Sequence, residues 1–212
     1  MIFVLADDFS GAAELAGIGA AHGLKAEVWI GFHEVSETHP DLIAIDCGTR
    51  SLPAATAERR VIAIAQSVAA RRPAWIFKKT DSVLRGHVAV ECTAVANSWN
   101  CERVMLIPAN PSRGRCIANG RYFIHGTLLS ETEFARDPEF PARSSDVLAL
   151  LDSGSDLGIE VPDISTICDM LCHSISASCQ RVASRGCRFL HRYPSCLASR
   201  GRPGALPRGS LV

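Results

Sequence analysis

The sequence predicts an α/β fold: a mostly parallel sheet with helices on both faces, three layers in all, followed by an irregular C-terminal tail. Three observations carry this. Short apolar runs without polar alternation recur up to Ile107, as expected of strands buried on both faces. Longer segments of helical periodicity separate them, and alternating strands and helices build a parallel sheet. Charged and small polar residues crowd the segments directly after the strands, where open α/β sheets bind ligands.

Taken in order, Ile2 to Leu5 is the first buried strand. It stops at Asp7-Asp8-Phe9-Ser10-Gly11, and Ala12 to Ala21, rich in small residues, reads as a helix lying close on the sheet. Ala26 to Ile30 and Leu42 to Ile45 are further strands. Ala54 to Arg71 is a long helix with Val61, Ile64, Ala65 and Val68 on one stripe and Arg59, Arg60 and Gln66 elsewhere, bounded by Pro53 and Pro73. Trp75 to Phe77 is a strand, Val88 to Trp99 a helix and Val104 to Ile107 the next strand of the same sheet. Asn119 to Leu129 reads as a hairpin turning at His125-Gly126.

A chain of 212 residues holds one full domain, or one domain and a piece of another. With 47% apolar and 21% charged residues it is neither disordered nor fibrous. No stretch approaches the roughly 18 apolar residues of a membrane span, and the opening run is too short for a secretory signal, so a cytoplasmic protein without a membrane partner is expected. The net charge of zero is a cancellation. Residues 1–169 hold all 22 acids against 15 Lys and Arg, a net of −7, whereas residues 170–212 hold seven Arg and no acid. This tail lacks the apolar periodicity that would fold it. A nucleic-acid arm is a poor reading of it, and Cys172, Cys179, Cys187 and Cys196 lack the short paired spacing of a zinc site, so neither nucleic acid nor metal is expected. Cys47, Cys92, Cys101 and Cys116 read as free, reduced packing residues.

Four loops after strands carry the candidate chemistry. They are 7–11, 46–51, 78–86 and 108–115, and two of the three lysines, Lys78 and Lys79, fall in the third. Asp7, Asp8, Asp46 and Asp81 facing Arg50, Lys79, Arg85 and Arg115 suit a small, anionic, polyhydroxylated molecule. Arginine offers a planar fork to a carboxylate or phosphate, and aspartate accepts hydrogen bonds from hydroxyls or takes a hydroxyl proton. Residue by residue, helix capping and loop solvation explain such side chains equally well; their shared position at one end of the sheet favours a site. Neither Gly-x-Gly-x-x-Gly nor a Walker pattern occurs.

The motifs Ala6-Asp7-Asp8-Phe9-Ser10-Gly11-Ala12-Ala13, Asp46-x3-Arg50, Lys78-Lys79-Thr80-Asp81-Ser82-x-Leu84-Arg85-Gly86, Pro108-Ala109-x-Pro111-x2-Gly114-Arg115 and Glu131 to Pro138 together resemble the four-carbon acid sugar kinase family over roughly residues 1–160. The resemblance implies a two-domain cytoplasmic kinase that phosphorylates threonate, erythronate or 3-oxo-tetronate with ATP and Mg2+. It implies a sugar-acid pocket lined by Asp7, Asp8, Arg50, Lys79, Asp81, Arg85 and Gly86, with Asp8 and Asp81 as candidate catalytic residues. Residues 1–165 correspond to the acid-sugar-binding domain, and residues 166–212 stand where the family's nucleotide-binding domain begins. The tail reads as truncated or frame-shifted: shifted by one base, permissible codons for residues 179–190 spell Ala-Ser-Val-Leu-Leu-Ala-Gly-Ala-Ala-Gly-Phe-Phe. Two readings stay open, a kinase represented by its substrate-binding domain, and a non-catalytic sugar-acid binder or inert remnant. Apolar surface left by an absent domain would favour a homo-oligomer.

Overall fold

The computed structural model describes residues 1–32, 39–151 and 158–173, together with the backbone of residues 189–190. Most of the tail, with its cysteines at 179, 187 and 196 and residues 179–188 of the frame-shift segment, lies outside the described residues.

Five strands form a wholly parallel sheet. They are β1 (Ile2–Ala6), β2 (Ala26–Ile30), β3 (Leu42–Asp46), β4 (Trp75–Lys79) and β10 (Phe189–Leu190), in the order β10-β4-β1-β3-β2. β1 lies in the middle, pairing with β3 and β4 so that Ala6 faces both Asp46 and Lys79. The pleat divides β1 and β3 between two apolar layers. Phe3, Leu5, Ile43 and Ile45 join the layer of α2 (Ala54–Ala70) and α3 (Val88–Ser98), while Val4, Ala6, Leu42 and Ala44 join α1 (Phe9–Ala21). Helices thus cover both faces, as the apolar runs require.

Small residues set the fit of α1. A Cβ on Gly19 would stand 3.1 Å from Leu42 Cδ1, so glycine lets the helix axis approach the sheet. The stripe Val61, Ile64, Ala65, Val68 of α2 is buried as its periodicity predicts. α1 starts three residues earlier than the apolar pattern suggests, because Asp8 caps it through the Gly11 N–H.

Two features depart from the sequence reading. β4 runs on to Lys79, so Lys78 and Lys79 are strand residues rather than loop residues. The strand expected at Val104 to Ile107 is β5 (Arg103–Met105), and it leaves the main sheet: β10 occupies the outer edge of β4, and β5 pairs instead with β9 (Gly158–Glu160). Beside this pair stands an antiparallel sheet of β6 (Arg115–Ala118), β7 (Arg121–Ile124) and β8 (Thr127–Leu128), whose β7–β8 turn falls at His125-Gly126 as predicted. The short helix α4 (Val147–Leu151) packs into the same core, which also takes in Ile117, Tyr122, Leu129 and Ile164. No helix among the described residues is long and apolar enough to cross a membrane.

Phe3 is fully buried and meets Trp29 edge to face at 6.5 Å. Phe3→Ala should lower unfolding stability by about 3–5 kcal/mol, read from the denaturant midpoint. A loss under about 1 kcal/mol would show that this layer repacks freely.

Candidate functional site at the strand ends

Because β1, β3 and β4 are neighbours in register, their carboxyl ends open side by side. The exit of β1 is tied to the β3–α2 loop by the backbone: Asp7 O accepts N–H bonds from Thr49 at 2.9 Å and Arg50 at 3.2 Å. That brings the Arg50 side chain over β1. Two glycines make room for the arrangement. Gly11 would place a Cβ 3.0 Å from Asp8 Oδ1 and 3.1 Å from Lys79 Cγ, and Gly86, at φ +82°, would press one to 3.3 Å from Arg50 Cγ.

Arg50 links three aspartates from two strand ends. Its Nε donates to Asp7 Oδ2 and its Nη1 to Asp8 Oδ2, each at 2.7 Å, and its Nη2 lies 3.7 Å from Asp81 Oδ1. Asp81 in turn is gripped by Arg85, whose Nη2 and Nε donate to its two oxygens at 2.9 and 3.1 Å; the Val83 and Arg85 backbone N–H groups donate to Oδ2 as well. Arg85 Nη1 reaches on to Asp137 Oδ2 at 3.3 Å. Phe134 underlies this edge, with the guanidinium carbons of Arg85 and Arg115 at 5.9 and 6.0 Å from its ring centre. Arg115 Nη1 also donates to Ser82 Oγ. Tyr122 pins the same loop from below, its hydroxyl donating to Ser82 O at 2.6 Å.

Beneath this layer lies a buried ion pair, Lys78 Nζ to Glu91 Oε2 at 2.6 Å, with Lys78 also donating to Lys79 O. Both side chains are closed to solvent. Burial alone would drive the proton from Lys78, but the charges of Glu91 and Asp7 outweigh it and hold the ammonium above the usual lysine range. Asp7 shows the opposite balance. Burial pushes its carboxyl up, Lys78 and Arg50 only partly offset this, and Oδ1 has no hydrogen-bond partner among the described residues. For Asp81 burial also pushes upward, but the hydrogen bonds and charge of Arg85, with the charge of Arg50, win and hold it below the usual carboxylate range. Burial pushes the thiols of Cys47 and Cys92 up to about 12, which removes both as nucleophiles at neutral pH. Cys47, Cys92 and Cys116 are free as expected, but Cys101 is disulfide-bonded, against that expectation.

Of the residues proposed from sequence, Asp7, Asp8, Arg50, Asp81 and Arg85 join one continuous ionic chain, with Gly86 packed on Arg50. Lys79 flanks the cluster beside Gly11, but its ammonium is turned toward α1, donating to Thr80 O at 2.9 Å and standing 3.8 Å from Glu14. Asp46 goes elsewhere. Its Oδ1 accepts the Gly48 N–H, and it borders a separate cavity of about 360 Å3 with Gly31, Phe32 and Arg60. Sequence reasoning missed Ser82, Phe134 and Asp137 as site-edge residues. Only their place in the quoted motifs marked them, since on spacing alone residues 131–138 are an ordinary charged loop.

An open parallel sheet with a cluster of charged side chains where its central strands end is the architecture of an α/β ligand-binding domain. The chain belongs to the family described as the sugar-binding N-terminal domain, whose sequence model matches residues 2–190. Among its relatives, the D-threonate kinase of Salmonella typhimurium is 30% identical over 159 residues, covering 74% of this chain and 38% of that one. The 3-oxo-tetronate kinase of Brucella melitensis is 29% identical over 199 residues, covering 88% and 44%. The chain therefore spans less than half the length of these curated relatives. A crystal structure of a domain of unknown function from Bordetella bronchiseptica, a domain-swapped dimer with bound citrate, has the same fold with a TM-score of 0.77 at 22% identity, over 90% of this chain and 52% of that one.

Two predictions come from this geometry. Lys78→Met or Glu91→Gln alone should each cost about 3–5 kcal/mol by stranding a buried charge, whereas Lys78→Met with Glu91→Leu should come much closer to wild type; a double-mutant cycle in urea decides. Asp81, its folded pKa held below the ordinary aspartate value of 3.8, contributes stability that is fully present above 3.8 and lost as pH falls through the folded value. Asp81→Asn should accordingly flatten the acid limb of a stability–pH curve below 3.8, and an unchanged limb would place the titrating group elsewhere.

Proposed function

We propose that this chain supplies the sugar-acid-binding half of an ATP-dependent four-carbon acid sugar kinase, acting on threonate, erythronate or 3-oxo-tetronate, with residues 1–165 as the binding unit. The observation that carries the reading is the Arg50 guanidinium shared by Asp7, Asp8 and Asp81 at the mouth of adjacent strands, with Arg85 and Arg115 on the rim. Carboxylates there accept hydrogen bonds from sugar hydroxyls, and arginine forks answer the acid group. The relatives' names and the citrate bound by the Bordetella protein, itself a dimer, support a small hydroxy acid as ligand and association of copies.

The residues divide the work by environment. Asp81, held at both oxygens and below the usual carboxylate range, is a poor proton acceptor and serves to position Arg85 and Arg50. Asp8 is more open, with 27% of its side chain exposed, and is the better placed of the two catalytic candidates to take a hydroxyl proton. Asp7, Lys79 and Gly86 shape the floor and sides. ATP with Mg2+ supplies the transferred phosphoryl group. Among the described residues no group of three or more His, Cys, Asp or Glu is placed to hold a metal ion, and neither Gly-x-Gly-x-x-Gly nor a Walker pattern occurs, so these residues do not fit that group by themselves.

The test is a thermal-shift and phosphorylation screen with four-carbon sugar acids, with and without Mg-ATP. An acid at about 100 times its Kd should stabilise the chain by about 2.7 kcal/mol, and Arg50→Ala should abolish the effect. Binding without phosphorylation supports the non-catalytic reading. Absence of any shift with every acid would sink both.

A further inference from the structure

Resting on the sugar-acid reading above, we infer that Arg115 is the specificity-determining residue that selects a carboxylate-bearing ligand over a neutral polyol. Every other cation of the cluster is already committed to a carboxylate. Arg50 serves Asp7, Asp8 and Asp81, Arg85 serves Asp81 and Asp137, Lys78 serves Glu91, and Lys79 faces Glu14. Around Arg50 and Arg85 four aspartates already occupy the guanidinium donors, so an incoming carboxylate must compete with them there. Arg115 differs. Its partners among the described residues are neutral, Ser82 Oγ and the Phe134 ring, and it forms no ion pair with any of them. Among the described residues one of its five N–H donors is used, which leaves a guanidinium able to meet a carboxylate with two parallel bonds.

The residue is also held in place before any ligand arrives. The backbones of Asn110 and Arg115 exchange two hydrogen bonds, Asn110 N to Arg115 O at 2.8 Å and Arg115 N to Asn110 O at 3.0 Å. Gly114 closes that loop at φ +66°, a conformation that favours glycine, with the His125 ring packed against it, and Gly114 O accepts the His125 N–H at 2.7 Å. The Phe134 face then limits the plane of the guanidinium, so little rotamer freedom is left to lose on binding. The hydroxyls of such a ligand are left to the aspartates, and its acid group to Arg115.

Calorimetric titration of wild type, Arg115→Met and Arg115→Lys with threonate and erythronate, and with the neutral tetritols threitol and erythritol, tests this. Wild type should bind an acid at least about tenfold more tightly than its tetritol, the margin expected of a charge-assisted bidentate pair. Arg115→Met should lose that preference while its tetritol affinity stays within about twofold of wild type, and Arg115→Lys should regain part of it as a point charge without the fork. The inference is overturned if Arg115→Met keeps the preference, or if it weakens acid and tetritol equally, as a structural role in joining the Ser82 and Phe134 loops would produce. Wild type that binds neither acid removes the sugar-acid reading itself; wild type that binds acids with the variant unchanged removes only the role of Arg115.

Discussion

One guanidinium organises the carboxyl end of this sheet. Three aspartates that follow two adjacent strands cannot sit within a few ångströms of each other without a cation among them, and Arg50, delivered from the third strand's loop, is that cation. The backbone bonds from Thr49 and Arg50 to Asp7 O make its delivery part of the fold rather than a chance of rotamers. Gly86, at a backbone angle that side chains avoid, leaves the space Arg50 fills.

Charge is also stacked in depth. Lys78, in β4, and Asp7, directly after the neighbouring β1, are both buried, which would ordinarily discharge both. Glu91, reaching in from α3, keeps Lys78 charged, and Lys78 in turn limits how far the Asp7 carboxyl rises. The upper layer is then tuned separately: Arg85 pulls Asp81 down, and the same arginine anchors Asp137, whose Oδ1 orders the next turn by accepting the Glu139 and Phe140 N–H groups. A fixed network of this kind presents a ligand with groups already in place, which limits what ordering costs on binding.

The strand ends alone do not make the whole edge. Phe134, Ser82 and Arg115, the last at the start of β6, come from three separate segments and are joined by a hydroxyl bond and an aromatic face, with Tyr122 underneath. That edge belongs to the region built on β6 to β8, outside the parallel sheet. The charged cluster therefore lies where the two architectures meet, and its polar groups are supported from both.

Much of this was legible in the residues. Short apolar runs identified β1 to β4, the Val61-Ile64-Ala65-Val68 stripe identified α2, and five ordered motifs identified the kinase-like family, because periodicity and local spacing are properties of a chain before it folds. Strand order was not legible. A run buried on both faces looks the same whichever neighbour it takes, so β5 could be read into the main sheet although it pairs with β9. Nor did the sequence distinguish Asp46, turned to the Gly48 N–H, from Asp8 and Asp81, since all three are aspartates at or after strand ends. Composition and spacing determined that this chain is an α/β domain with charged loops at one end. Only tertiary packing decided which charges meet, because ionic partners separated by more than 40 residues are chosen by register and burial, and neither is written locally.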